Sequence, residues 1–265
     1  MPLPRYRSAE LDRCQDCDLI FLGRAPAEDL EITYTTEDYV DAHNHFFAED
    51  RALEHIAEQR IEWLSRRVAP GPLLEVGPGR GHLLAAARAA GFEPLGVEPS
   101  PELAARITAE FEVPVECGFL DEVELPRDGF DVICLYHVLE HVEGPGSMLE
   151  RLAGLLAPGG LLVIEVPNIA SAMAERRGER WPAVQPRELH VSHFTPRTLR
   201  GLVERSGLEV AEVDTVAPWH YLPPSLRLRP RALMGFGYRT ARLRTLRDSH
   251  PSGYDNLRLL ASAPV

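Results

Sequence analysis

Three groupings in this chain have residue types and spacings suited to chemistry. The first is Glu75-Val76-Gly77-Pro78-Gly79-Arg80-Gly81, an acid followed by three glycines at alternate positions. Such glycines let the backbone turn tightly and let a ligand come within contact distance of the main chain. Glu98, in Gly96-Val97-Glu98-Pro99-Ser100, lies 17 positions beyond Gly81, about where a carboxylate accepts hydrogen bonds from ribose hydroxyls. The second grouping is histidine: His137 and His141 at i, i+4, and His190 and His193 in His190-Val191-Ser192-His193-Phe194-Thr195. Imidazole titrates near neutrality and suits proton transfer. The third is Cys14-Gln15-Asp16-Cys17, two thiols at the spacing of half a zinc site.

These residues need elements to hold them. Leu53, Ile56, Ala57, Ile61 and Leu64 recur at helical spacing over 46–68, and Ala69-Pro70-Gly71-Pro72 stops that helix. Strand and helix then alternate. Leu73–Val76, Pro94–Val97, Val113–Cys117, Phe130–Leu135, Leu161–Val166, Leu208–Val216 and Leu257–Ser262 read as strands. Helices are expected over Gly81–Ala90, Pro101–Glu110 with Ser100 as N-cap, Gly146–Leu156, and Thr195–Ser206 with proline in its first turn. The alternation predicts an open, mostly parallel sheet covered by helices on both faces. Residues 1–45 show no regular pattern.

Composition narrows the function. The chain has 265 residues, 28 basic against 40 acidic, for a net charge of −12; 45% are hydrophobic and 26% charged. That balance belongs to a globular protein, not a disordered one. The longest stretch free of Asp, Glu, Lys and Arg, Leu152 to Ile164, is too short to span a bilayer. Met1–Arg5 has no apolar run of the secretory kind, so a soluble cytoplasmic protein is the expectation. Net acidity argues against a nucleic-acid partner. Every basic residue is arginine, which excludes Schiff-base and phosphate-loop lysine chemistry. Four cysteines are too few and scattered for a disulfide framework.

The glycine run, with its third glycine two positions after the second and an acid just ahead, resembles motif I of class I S-adenosylmethionine-dependent methyltransferases. Phe130-Asp131-Val132-Ile133 followed by Tyr136-His137-Val138-Leu139-Glu140-His141-Val142 resembles that family's fourth strand and its sequel. Leu156–Asn168 resembles its fifth strand. The segment from His190 to Thr195, before a helix ending in Gly207-Leu208-Glu209-Val210, is similar to members acting on small molecules, among them the ubiquinone-biosynthesis O-methyltransferases. The likeness spans roughly 46–216. It implies a doubly wound, seven-stranded Rossmann-like α/β fold that binds S-adenosylmethionine and methylates a small-molecule acceptor, expected at a hydroxyl oxygen, with nitrogen and carbon left open.

It also implies residue roles. Glu75 takes the methionine ammonium; Gly77, Pro78, Gly79 and Gly81 give the sulfonium ligand room against bare backbone; Glu98, with Pro99 and Ser100, holds the ribose. Phe119 and Leu120 stand where the family contacts adenine, although many members have Asp where this chain has Phe119. Tyr136 and His137 complete the cofactor side. His190 and His193 are the candidate bases. Tyr34, Tyr39, His141, Asn168 and Trp181 are candidate acceptor contacts, the first two on an N-terminal lid over 1–45. The Cys14/Cys17 pair looks like the second half of a zinc ribbon, yet no Cys or His precedes it, so a degenerate ribbon without metal is expected.

Residues 46–265 form the expected catalytic domain, with an arginine-rich insertion over 220–250. From Tyr221 to His250, seven arginines face one acid, +7 − 1 = +6, so the remainder carries −18. With leucines interleaved, this segment suits weak contact with an anionic membrane surface, or pairing with the acidic body. Two rivals remain: a nicotinamide-dependent oxidoreductase, which the glycine spacing and the absence of lysine count against, and a cofactor-binding scaffold without catalysis. The oligomeric state is left open.

Overall fold

The computed structural model describes residues 11–23, 50–184, 190–216 and 255–265. A hairpin of β1 (Leu11–Arg13) and β2 (Ile20–Leu22) comes first. It is followed by α1 (Asp50–Ser65), β3 (Pro72–Val76), α2 (His82–Ala89), β4 (Glu93–Glu98), α3 (Pro101–Phe111), β5 (Val115–Cys117) and β6 (Phe130–Tyr136). A 3-10 turn at Leu139–His141 and α4 (Pro145–Ala153) lead to β7 (Leu156–Pro167). The remaining elements are α5 (Ala172–Arg177), β8 (Ser192–His193), α6 (Pro196–Arg205), β9 (Glu209–Val216) and β10 (Asn256–Ser262).

Seven strands form one sheet in the order β5-β4-β3-β6-β7-β10-β9. The strands from β5 to β7 pair in parallel, and β10 runs antiparallel to both β7 and β9. The period-two alternation of the central strands splits their side chains between two cores. Leu73, Val132, Cys134 and Val163 face Ala57, Ile61 and Leu64 of α1 and Leu84 and Ala87 of α2. Leu74, Ile133, Leu135 and Ile164 face Leu149 and Leu152 of α4 and Leu199 and Val203 of α6. Helices on both faces explain why these strands are almost wholly apolar, with Glu75, Asp131 and Glu165 as their acids.

Local signals set the boundaries. Ser100 Oγ accepts from the Leu103 N–H at 3.4 Å and starts α3. Thr195 and Thr198 exchange hydrogen bonds in a capping box that starts α6. α4 ends at Ala153, three residues before the expected end, because Gly154 caps it. β7 begins at Leu156, five residues before the expected start, carrying Pro158-Gly159-Gly160 as an irregularity in its pairing with β6.

A second sheet, β1-β2-β8, was not anticipated from the irregular N-terminal sequence. β2 pairs antiparallel with β8, Ile20 opposite His193 and Phe21 opposite Ser192. Leu11, Ile20, Ala174, Trp181, Ala183 and Val184 form a small core behind it. Among the described residues, no helix is long and apolar enough to cross a membrane.

Candidate active site

Both groups of candidate residues converge where the parallel strands end. β3 carries Glu75 in register with Gly96 of β4 and Cys134 of β6. Glu75 is 4% exposed, and its Oε2 has no hydrogen-bond partner. Burial pushes its carboxyl up to about 8; the nearby Arg60 pulls it down and Glu98 adds to the rise. The glycine turn follows with positive φ at Gly77 (66°), Gly79 (56°) and Gly81 (80°). A Cβ on Gly77 would stand 2.7 Å from Val138 Cγ2, and one on Gly81 would stand 2.8 Å from Ile107, so both are packed turns. A Cβ on Gly79 would meet nothing within 4 Å: bare backbone opens onto free space there.

Glu98 ends β4, 1% exposed, with Oε1 accepting the Ser100 N–H at 3.0 Å. Burial raises its carboxyl, and the Ser100 and Gly79 N–H groups hold part of that rise back. Phe119 is the exposed large hydrophobic beside it, 47% accessible, with its N–H bonded to Glu122 and Leu120 buried behind. An orphaned buried carboxylate oxygen, an open glycine turn, a strand-end acid and an unburied aromatic suit the ammonium, chain, ribose and adenine of S-adenosylmethionine.

The second group is built around Glu140, on the 3-10 turn after β6. Glu140 is 1% exposed. Its Oε1 accepts from His137 Nδ1 at 3.2 Å; its Oε2 is buried without a hydrogen-bond partner. His141 and His190 stack edge-on, ring centres 4.7 Å apart, and the His193 ring lies 6.4 Å from that of His190. His190 Nδ1 donates to the Ala183 carbonyl at 2.9 Å, which leaves Nε2 as the ring's lone-pair nitrogen. The Val191 N–H bonds the Glu140 carbonyl at 2.8 Å, tying the β8 lead-in to the 3-10 turn. Burial alone would raise the Glu140 carboxyl, but the His137 hydrogen bond and the charges of His137, His141 and His190 hold it down at about 2. Burial and then the His141 charge lower His190 to about 3, and burial lowers His193 to about 4, with Glu140 opposing in both.

A chain of polar contacts joins the two groups. Arg60 of α1 pairs with Glu165 of β7 at 3.0 Å and lies 3.8 Å over the Tyr136 ring. Asn256 Nδ2 reaches Glu165 Oε1 and His137 Nε2, each at 3.4 Å. His137 holds a positive φ of 59° immediately after β6, an uncommon conformation of the kind that gathers at functional sites.

The placement of the remaining expected residues is mixed. His141, His190 and His193 come together. Asn168 is fully buried, its Oδ1 accepting the Ala170 N–H at 3.1 Å in the turn after β7. Trp181 is 4% exposed and packs in the small core behind β1-β2-β8 rather than on an open face. Tyr34, Tyr39, the parts of the expected 1–45 lid other than 11–23, and the arginine-rich 220–250 lie outside the described residues. Cys14 and Cys17 sit on the β1–β2 turn, where Asp16 and Cys17 N–H groups lower the Cys14 thiol. Arg60, Glu165, Glu140 and Asn256 were not singled out from sequence. Glu165 had a signal, as the lone acid within Leu161–Val166; Arg60, on an ordinary helix face, had none.

The chain matches the methyltransferase domain family over residues 47–213. It is 35% identical over 101 residues to a ubiquinone biosynthesis O-methyltransferase of Bradyrhizobium sp. (strain ORS 278), covering 36% of this chain and 40% of the relative. It is 31% identical over 157 residues to the protein of that name from Nitrobacter winogradskyi, covering 54% of this chain and 59% of the relative. The matches thus span about two fifths to three fifths of the curated relatives' length. An S-adenosylmethionine-dependent methyltransferase structure from Mesorhizobium loti superposes with a TM-score of 0.55 at 21% identity, over 77% of this chain and 97% of that one, a likeness of fold. The chain belongs to the methyltransferase domain family, with the class I, S-adenosylmethionine-dependent fold.

Proposed function

We propose that this protein transfers a methyl group from S-adenosylmethionine to a hydroxyl oxygen of a small-molecule acceptor. The observation that carries the reading is the ring of His137, His141 and His190 around the buried Glu140, tied through Asn256 and Glu165 to Arg60 beside the Glu75 cradle. The names of the partly matching curated relatives support oxygen as the acceptor atom.

When bound, S-adenosylmethionine supplies a methyl group made electrophilic by its sulfonium. Glu75 holds the ammonium through its orphaned Oε2, Gly79 leaves the backbone open to close approach, and Glu98 fixes the ribose. Phe119 offers its exposed ring to adenine. On the acceptor side, His190 presents Nε2 because its Nδ1–H is committed to Ala183, and His193 stands beside it. A lone-pair nitrogen so fixed accepts a hydroxyl proton without reorganising.

Calorimetric titration of the purified protein with S-adenosylmethionine, S-adenosylhomocysteine and NADH tests the donor half. Binding of the two sulfur compounds alone, lost in Glu98→Ala, is expected; binding of NADH alone overturns it. Methyl transfer to a panel of phenols, catechols and sugars against amines tests the acceptor half. Transfer to amines only sinks the oxygen reading.

A further inference from the structure

The short sheet β1-β2-β8 carries two thiols on its first turn and His193 in its last strand. We infer that Cys14 and Cys17 are a redox-responsive pair, oxidised by a hydroperoxide to a disulfide that loosens β8 beside the histidine cluster. Neither thiol takes part in the proposed function, and the inference does not rest on it.

Four observations converge on this turn. Both cysteines are unbridged and half-buried, whereas Cys134 is sealed in the sheet. The turn holds them side by side: the Cys14 N–H donates to the Leu19 carbonyl at 2.8 Å, the Asp18 N–H to the Cys14 carbonyl at 3.0 Å, and the Cys17 thiol to the Cys14 sulfur. A disulfide needs side chains kept adjacent in this way. The Asp16 and Cys17 N–H groups, with that thiol, favour the Cys14 thiolate, against burial and the Asp16 charge, and the thiolate is the form that reacts. Both sulfur-bearing residues also line a cavity of about 440 Å3, shared with Leu19, Phe21, Val191 and Ser192, which has room for a small oxidant. A low-lying, accessible thiol beside a second cysteine is the arrangement of a redox sensor. A closed thiolate metal site takes four ligands, and among the described residues no third Cys, His, Asp or Glu joins these two in a ligating group.

The chemistry has two steps. The Cys14 thiolate, its proton lost to solvent, attacks the outer oxygen of the hydroperoxide. The O–O bond breaks, Cys14 becomes a sulfenic acid, and the departing alkoxide or hydroxide takes up a proton. Cys17 then attacks the oxidised sulfur, the S–S bond forms, the S–O bond breaks and water leaves. Two thiols have given up two electrons, and the hydroperoxide has been reduced to an alcohol or water. The consequence travels along strand ladders. Oxidation takes from the turn a thiolate that accepts two N–H groups, and both cysteines pack against the main core at Leu19. β2 continues directly from that turn, with Ile20 opposite His193, Phe21 opposite Ser192, and the Leu22 N–H donating to the Val191 carbonyl at 2.9 Å.

The test exposes the reduced full chain to dilute hydrogen peroxide and follows it by intact mass, peptide mapping and hydrogen exchange. The wild type should lose two hydrogens per chain, with Cys14 and Cys17 joined in one peptide, and dithiothreitol should restore both. Exchange at Ser192 and His193 should rise about threefold or more in the oxidised chain and return on reduction, while β3 and β6 stay protected. Cys17→Ser should stop at a sulfenic acid on Cys14, trapped by dimedone, and Cys117→Ser should behave as wild type. No disulfide, a disulfide made through Cys117, or a sulfenic acid formed on Cys17 in Cys14→Ser but not on Cys14 in Cys17→Ser overturns the inference. So does a Cys14–Cys17 disulfide that leaves exchange at β8 unchanged, or zinc held by the pair in the chain as purified. Should the serine variants fail to fold, the wild type decides by itself: iodoacetamide at pH 7 should label Cys14 about tenfold faster than Cys117, and equal rates overturn the assignment. None of these readouts depends on methyl transfer, so a failed acceptor screen leaves the thiol pair standing, and an inert pair leaves the proposed function standing.

Discussion

Glu75 is where one residue's environment sets a measurable property of the whole protein. Its carboxyl, raised by burial to about 8 against a usual 4.5, is protonated below pH 4.5 whether the chain is folded or not. Between 4.5 and about 8 only the folded, ligand-free chain keeps that proton, so stability falls as pH rises through this window. A cationic ammonium arriving at Oε2 favours the carboxylate. S-adenosylmethionine binding at pH 7 should therefore release close to one proton, and its affinity should rise with pH across the window. Calorimetry in buffers of different ionisation enthalpy reads the proton count, and Glu75→Gln should bring it to zero. No release in the wild type would sink this account. The glycines make a paired contrast. Gly79→Ala places a left-handed alanine in open space and should cost about 1–2 kcal/mol of stability while sharply weakening S-adenosylhomocysteine binding. Gly77→Ala adds a clash with Val138 to the same strain and should lower the melting temperature further. Equal melting temperatures for the two variants would contradict this reading.

At the scale of elements, α1 is held to the sheet by one buried ion pair as well as by its apolar face. Arg60→Ala strands Glu165, 1% exposed, without its guanidinium and should cost about 3–5 kcal/mol in urea unfolding. The double variant Arg60→Met/Glu165→Leu should recover most of that loss, and failure to recover would point to a different role for the pair. These contacts also show how far the sequence can be read. The strand–helix alternation, the Ser100 and Thr195 caps and the glycine turn were legible because each is decided within a few neighbouring residues. Arg60 and Glu165 lie 105 positions apart, and their pairing depends on where α1 docks. β1, β2 and β8 have three, three and two residues, too few for a periodic signal, and β2 meets β8 across more than 160 positions. Likewise the spacing of His137, His141, His190 and His193 was visible, whereas their gathering around Glu140 required the tertiary fold.

Across the whole molecule, the N-terminal hairpin buttresses the histidine cluster through β8. Ile20, 4% exposed, pairs with His193 and packs in the core that holds Trp181 and Ala183, whose carbonyl fixes His190. Ile20→Ala should leave S-adenosylhomocysteine affinity unchanged, raise hydrogen exchange at Ser192 and His193, and lower turnover about tenfold or more, since catalytic geometry tolerates little displacement. An unaltered exchange pattern would separate the hairpin from the site.

The pairing of β9 with β10 has a consequence for how this protein can diversify. Val216 and Asn256 face each other in register, so the chain leaves the sheet and returns to it one strand spacing away, beside Pro167 at the end of β7. Asn256 itself touches His137. Whatever lies between those two residues is closed at its base by the sheet, and each doubling of its length adds only about 0.6 kcal/mol of closure entropy. Related proteins can therefore lengthen, shorten or exchange the 217–254 segment as a cassette inserted at the rim of the site. That gives a route to new acceptors in which the scaffold's pairing register is inherited unchanged.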